Sequence, residues 1–216
     1  MVTESTEARP GGAPRVRRGL RREEILSASA DLFARRGFHG VSIDEIGAAV
    51  GMSGPALYRH FAGKEAVLSE MLLRISRQLL DEGSRRAIAA PDAPAALDAL
   101  LHWHIDFTLS QPTLITVQDQ ELGNVPQPAR RQIRRLQRLY VEEWVTVLSE
   151  LAPAARPATL RTATHAAFGL LNSTPHSASE LSADAMADLL YVMARAALSA
   201  AAGPLPTVPP DPLPAT

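Results

Sequence analysis

"SIDEIGAAVGMSGPALYRHF", residues 42–61, is the stretch on which the reading of this chain turns. Ser42 and Glu45 stand in the Ser-x-x-Glu spacing, in which each side chain accepts the other residue's backbone N–H at the start of a helix. Ile43, Ile46 and Val50 then point inward, and Gly51 stops the run. Ser53 is placed to cap a second short helix, 53–61. Pro55 falls in its first turn, where a missing N–H costs little, and Leu57 and Phe61 lie four apart on its inner side. Two short helices joined by a glycine turn make the pattern of a helix-turn-helix, whose second helix lies in the major groove.

That arrangement gives the side chains roles. With Leu57 and Phe61 holding the second helix inward, Ser53, Gly54, Ala56, Tyr58, Arg59 and His60 are left on or near the exposed side. Small residues at the helix start let the backbone approach DNA closely. Tyr58 can donate to a phosphate or pack on a thymine methyl, and Arg59 can pair bidentately with guanine. His60 and Lys64 can hold phosphates, and the free N–H groups at both helix starts suit phosphate as well.

Working outward, residues 25–68 read "ILSASADLFARRGFHGVSIDEIGAAVGMSGPALYRHFAGKEAVL". Three stretches, "LFARRGF", "VSIDEIGAAVGMS" and "ALYRHFAGKEAVL", resemble the DNA-binding domain of the tetracycline-repressor (TetR) family. The resemblance implies a homodimer whose recognition helices enter successive major grooves of a palindromic operator. It implies a second domain that binds a small molecule and so releases DNA. Carried over by position, it puts Ser42 on phosphate and Gly54, Pro55, Ala56, Tyr58, Arg59, His60 and Lys64 at DNA-contacting positions. Base preference does not follow from it.

The rest of the chain fits that frame. Residues 1–64 carry ten Lys/Arg against seven Asp/Glu, and residues 65–216 carry twelve against sixteen, so the first third is basic and the remainder acidic. There is no cysteine, hence no disulfide, thiol nucleophile or Cys-based zinc site. No apolar run is long enough for a membrane span, and the first residues lack the apolar core of a secretory signal, so a cytoplasmic protein is expected. No G-x-S-x-G, phosphate loop, H-E-x-x-H or paired catalytic set is present, which argues against an enzyme. His102 and His104 face opposite sides of a helix, so no metal site is expected, nor any cofactor.

The predicted fold is all-α, with about nine helices. Residues 1–19 are expected to be a disordered basic arm, in which Arg15, Arg17 and Arg18, with Arg21 and Arg22 beyond, can follow the DNA backbone. Residues 20–66 are expected to form the helix-turn-helix domain. Residues 67–202 are expected to form a helical ligand-binding and dimerisation domain, its later helices near 94–110, 112–122, 127–151, 157–174 and 182–202. Residues 203–216, with six prolines in fourteen residues, read as a disordered tail.

In the second domain, apolar helix faces carry a few aromatic and polar residues. Trp103, Phe107, Gln118, Tyr140, Trp144, Phe168 and Asn172 are the candidates to line a small-molecule pocket. Ordinary core is the competing reading for each. Arg130, Arg134 and Arg138 make a stripe with Arg131 and Arg135 beside it. A solvated face is the plain reading, and recognition of an anionic ligand, such as an acyl-coenzyme A over an apolar pocket, is the other. The last two helices are rich in small and apolar residues and suit a four-helix bundle between two copies. A DNA-binding protein with no small-molecule inducer is the alternative to a ligand-released repressor.

Overall fold

A computed structural model describes residues 13–174 and 181–202, the side chains of 13–18 and 202 excepted. Among the described residues there are nine α-helices and no strand. They are α1 (Ala13–Arg36), α2 (Ile43–Ala49), α3 (Gly54–Leu57), α4 (Lys64–Ala89), α5 (Ala93–Ser110), α6 (Pro112–Glu121), α7 (Gln127–Leu151), α8 (Pro157–Leu171) and α9 (Ala183–Ala202). A 3₁₀ turn, Leu122–Asn124, follows α6.

Where the arm was expected, α1 already starts at Ala13. Pro14 in its first turn and the arginines after it are compatible with helix, so composition alone did not mark the boundary. The expected roles of Arg15, Arg17 and Arg18 concern side chains outside the described residues, as do the tail 203–216 and the Pro175-His176 step.

The chain divides into two compact units. The first is Met1–Leu73 with Thr116–Arg130, and the second is Arg74–Ile115 with Arg131–Thr216. The first unit thus takes in more chain than 20–66, because α4 runs unbroken from Lys64 to Ala89 and because residues 116–130 belong with it.

The first unit packs Ile25, Phe33, Ile46, Leu57, Phe61, Val67 and Leu68 into one core. Its central turn is built as the sequence suggests. Ser42 Oγ accepts the Glu45 N–H while Glu45 accepts the Ser42 N–H at 2.8 Å, a complete capping box. Helix α2 ends in a Schellman motif: Met52 N–H donates to the Gly47 carbonyl and Gly51 N–H to that of Ala48. Gly51 supplies the left-handed residue this motif needs, at φ +64°. In the second unit α8 and α9 pack together, and α5 packs against both. Its core includes Leu100, Leu101, Ile105, Phe107, Trp144, Leu148, Leu160 and Leu171.

Candidate DNA interface and effector core

The recognition segment is shorter than expected. Its α-helix covers Gly54–Leu57, and the chain continues to Phe61 in tightened turns, with Arg59 N–H on the Ala56 carbonyl and His60 N–H on that of Leu57. Ser53 holds the N-cap position with extended backbone, but its side chain makes no capping bond. Gly54 is buried, which corrects its expected place on the exposed side. A Cβ at 54 would lie 2.0 Å from Asp44 Oδ1, so glycine is there to let α3 close on α2. Ser53, Pro55, Tyr58 and Arg59 are exposed, Ala56 and His60 are half-buried, and Tyr58 keeps 55% of its surface open.

Basic residues expected on DNA phosphates serve the unit itself. Lys64, the one lysine of the chain, donates to the Phe38 and Val41 carbonyls, each at 2.9 Å, and sits 4.4 Å from the Phe38 ring centre. Of its three N–H donors one remains. Arg21 donates to the Val50 carbonyl at 2.6 Å and pairs with Glu24. Arg22 donates to the His60 carbonyl at 2.6 Å, pairs with Glu70, and lies 4.1 Å from the Phe61 ring centre. The Glu70 carboxylate holds the Arg22 guanidinium above its ordinary pKa. Arg22 thereby fixes the end of the recognition segment. Arg36 bridges Glu45 at 2.7 Å and the Gly40 carbonyl at 2.6 Å. The backbone N–H of Ser42, joined by the Arg36 contact, holds Glu45 down at about 2. Ser42 is exposed, beside a cleft of about 590 Å³ that Tyr58 and Lys64 also line.

One tie was not foreseen. Glu121, buried at the end of α6, accepts the buried Phe38 N–H at 3.0 Å and the Asn124 amide at 2.6 Å. The α1–α2 turn is therefore bonded from α4 through Lys64 and from α6 through Glu121. No local pattern in the sequence marks a partner 83 residues away.

In the second unit the structure brings Tyr140, Trp144, Phe168 and Asn172 together around a residue that was set aside, His104. The ring stacks on Phe168 at 4.6 Å and 5°, and Trp144 meets both edge-on. The neutral imidazole donates Nε2–H to Asn172 Oδ1 at 3.1 Å and accepts the Tyr140 hydroxyl at Nδ1 at 3.2 Å. Burial drives its pKa down to about 4, with the Asn172 bond opposing, and burial pushes the Tyr140 phenol up. His104 shares an inward stripe with Leu97, Leu100, Leu101 and Thr108, and that stripe was the signal that could have found it. His102, by contrast, is exposed and stacks on Tyr191 at 4.8 Å.

Trp103 pairs with Phe107 at 6.1 Å, under the Arg86 guanidinium. Gln118 lies on α6, in the first unit. Three candidates carry a buried polar atom without a hydrogen-bond partner: Trp103 Nε1, Trp144 Nε1 and Gln118 Oε1. Such atoms are few in folded proteins and call for an explanation. No cluster of His, Cys, Asp or Glu able to hold a metal occurs among the described residues.

Part of the expected pairing face is used within the chain: Ala167, Leu171 and Leu190 are buried in the α8–α9 packing. The remainder is open. A groove of about 550 Å³ lined by Ala158, Thr162, Ala163, Ala166, Ala197 and Ala200 runs along α8 and α9, and Leu189, Val192 and Met193 are exposed on α9.

A capped two-helix reader joined to an all-helical unit with an aromatic core defines a helix-turn-helix regulator. Comparison with known proteins gives the family. The family described as "Bacterial regulatory proteins, tetR family" matches residues 25–71, and "Tetracyclin repressor-like, C-terminal domain" matches residues 90–198, half of the chain. The chain belongs to the TetR family, whose members are DNA-binding transcription regulators and not enzymes. It is 30% identical over 133 residues to the transcriptional repressor KstR2 of Rhodococcus jostii, covering 59% of this chain and 63% of that one. It is 34% identical over 106 residues to the transcriptional activator FasR of Mycolicibacterium smegmatis, covering 47% and 48%. The chain thus spans about half to just under two thirds of these relatives.

Among solved structures, a TetR-family regulator from Bordetella parapertussis superposes with a TM-score of 0.73 at 25% identity, over 80% of this chain and 93% of that one. AibR, in complex with isovaleryl coenzyme A and operator DNA, gives 0.67 at 20% identity, over 80% and 97%. FadR from Bacillus subtilis, in complex with stearoyl-CoA, gives 0.65 at 15%, over 80% and 96%. The last two show likeness of fold alone. No described helix is long and apolar enough to cross a membrane.

Proposed function

We propose that this chain acts in the cytoplasm as a homodimeric repressor that holds a palindromic operator and is released by a hydrophobic small molecule of fatty-acyl or acyl-coenzyme A type. Tyr58 and Arg59 read the major groove, with Ser53, Pro55 and Ala56 at the approach of the backbone. Ser42, His60 and the remaining donor of Lys64 meet phosphates. Gly54 contributes by letting α3 seat on α2. The open apolar face of α8 and α9 pairs with its copy, an area of the kind a stable homodimer buries.

The observation that carries the effector reading is the pair of buried indole N–H groups, Trp103 and Trp144, unpaired in an apolar core. Each is a donor that a ligand carbonyl or carboxylate would satisfy. Two proteins of the same fold were captured with coenzyme A thioesters, which supports the chemical class. A ligand that prefers the DNA-incompetent arrangement weakens DNA binding by the factor by which DNA weakens ligand binding.

A second reading, a TetR-type protein without a small-molecule inducer, is favoured by the closed His104 network, whose polar groups satisfy one another without a ligand. A gel shift on the DNA upstream of its own gene, with competitor DNA and a panel of fatty acids and their coenzyme A esters, separates the two. A specific shift reversed by one compound supports ligand release, and one reversed by none supports the second reading. No specific shift would count against the operator assignment itself.

A further inference from the structure

Seven arginines in the described chain hold a carboxylate: Arg21, Arg22, Arg36, Arg85, Arg86, Arg161 and Arg195. The arginines of α7 do not. Arg131, Arg134, Arg135 and Arg138 are exposed, and Arg130 has only the Gly123 carbonyl. The first acid after them, Glu142, stands four residues beyond Arg138, where it could pair. It is instead held by Arg161 from α8 in two bonds of 2.6 and 2.8 Å.

This charge works against the helix that carries it. Residues 130 and 134, 131 and 135, and 134 and 138 are like-charged neighbours one turn apart, a repulsive spacing. They sit in the first half of α7, where the helix dipole disfavours cations and the first N–H groups favour an anion. Nothing in the fold offsets this, so the observations call for an anion from outside.

The helix also says what else that anion carries. At about 100° per residue, Arg134 falls within roughly 40° of Val141, Val145 and Leu148 around the axis. Those three are buried. One face of α7 is thus cationic and open in its first half and apolar and buried in its second. Along the axis Arg134 is about 9 Å from Tyr140 and about 15 Å from Trp144, the indole with the unpaired N–H.

Resting on the effector reading above, we propose that Arg131, Arg134, Arg135 and Arg138 form a phosphate-binding site for an amphiphilic effector. Its phosphorylated head lies on the first half of α7, and its apolar part runs toward Tyr140 and Trp144. A free fatty acid would use only the apolar half. Operator phosphates are the competing anion. The position of Arg131 to Arg138 in the unit that holds the aromatic core, on the helix that supplies two of its rings, favours the small molecule.

The test compares oleoyl-coenzyme A with oleate, below their micelle thresholds, on the full chain and on a variant carrying Arg131→Gln, Arg134→Gln and Arg138→Gln. These residues are exposed and glutamine is a good helix former, so the variant keeps its fold. The expected result is at least a tenfold loss of oleoyl-coenzyme A affinity, with oleate binding and operator affinity unchanged. Equal loss for both ligands, or no loss for either, overturns the phosphate site while leaving an apolar effector in place. Lost operator affinity with intact oleoyl-coenzyme A binding assigns the stripe to DNA and overturns it too. If the unmodified chain binds neither ligand, the effector reading itself fails and takes the site with it.

Discussion

In the first unit charged side chains end on the backbone. Arg21 reaches the Val50 carbonyl, Arg22 that of His60, Arg36 that of Gly40, and Lys64 those of Phe38 and Val41. In the second unit the buried polar groups of the aromatic core are neutral and bond to each other: His104 to Tyr140 and to Asn172. Bonds to the backbone fix the path of turns between very short helices, which have little packing of their own. Bonds between side chains leave the helices to be placed by ring packing and can be exchanged for bonds to a ligand. The difference is that between a surface that must keep one shape and an interior able to respond.

The largest expected effect lies in the second unit. Trp144 is fully buried against His104, Tyr140 and Phe168, so Trp144→Ala should cost about 3–5 kcal/mol, read by urea titration. Trp144→Phe keeps most of the packing and should instead shift the effector dose response while sparing operator binding. An unchanged response would remove the indole N–H from the ligand site.

Next comes pH. Burial, opposed by the Asn172 bond, lowers His104 from 6.5 to about 4. The unfolded chain therefore takes up this proton first as pH falls. The contribution is complete above pH 6.5 and is lost as pH falls through 4, to the extent of about 3 kcal/mol. Chemical denaturation of the wild type and His104→Gln across pH 7 to 4 checks it, since the variant should lose this part of the slope. Parallel curves would refute it.

In the first unit Arg59→Ala should weaken specific operator binding by about 1–3 kcal/mol with the fold and dimer unchanged. A gel shift at physiological salt reads it, and normal retardation would move base reading elsewhere. Ser42→Ala should be the mildest, removing one half of the capping box for about 1 kcal/mol of thermal stability. If the loss matched that at Trp144, the contrast between the units would be wrong.

The parts legible in the sequence were those written locally. A Ser-x-x-Glu box, a glycine stop and a Leu57–Phe61 pair lie within twenty residues, and the structure reproduces them. The later helices also fall close to their expected limits, because Pro and Gly punctuate them. What depended on distant partners was hidden. Gly54 has the look of an exposed residue until Asp44 is seen against it, and Lys64 of a phosphate ligand until its two carbonyls are found. His104 was passed over because attention went to metal spacing when its place on an inward stripe was the useful signal.

The Glu121 bond to Phe38 has a consequence for how such a protein can be taken apart and recombined. A chimera that joined residues up to Leu73 to a foreign effector domain would strand the Phe38 N–H, a buried donor, without its carboxylate. Swapping specificities in this chain therefore requires transplanting residues 116–130 along with the head. Natural shuffling at the obvious seam after α3 would meet the same obstacle, so the operator reader and the end of α6 are inherited as one piece although the chain writes them some fifty residues apart.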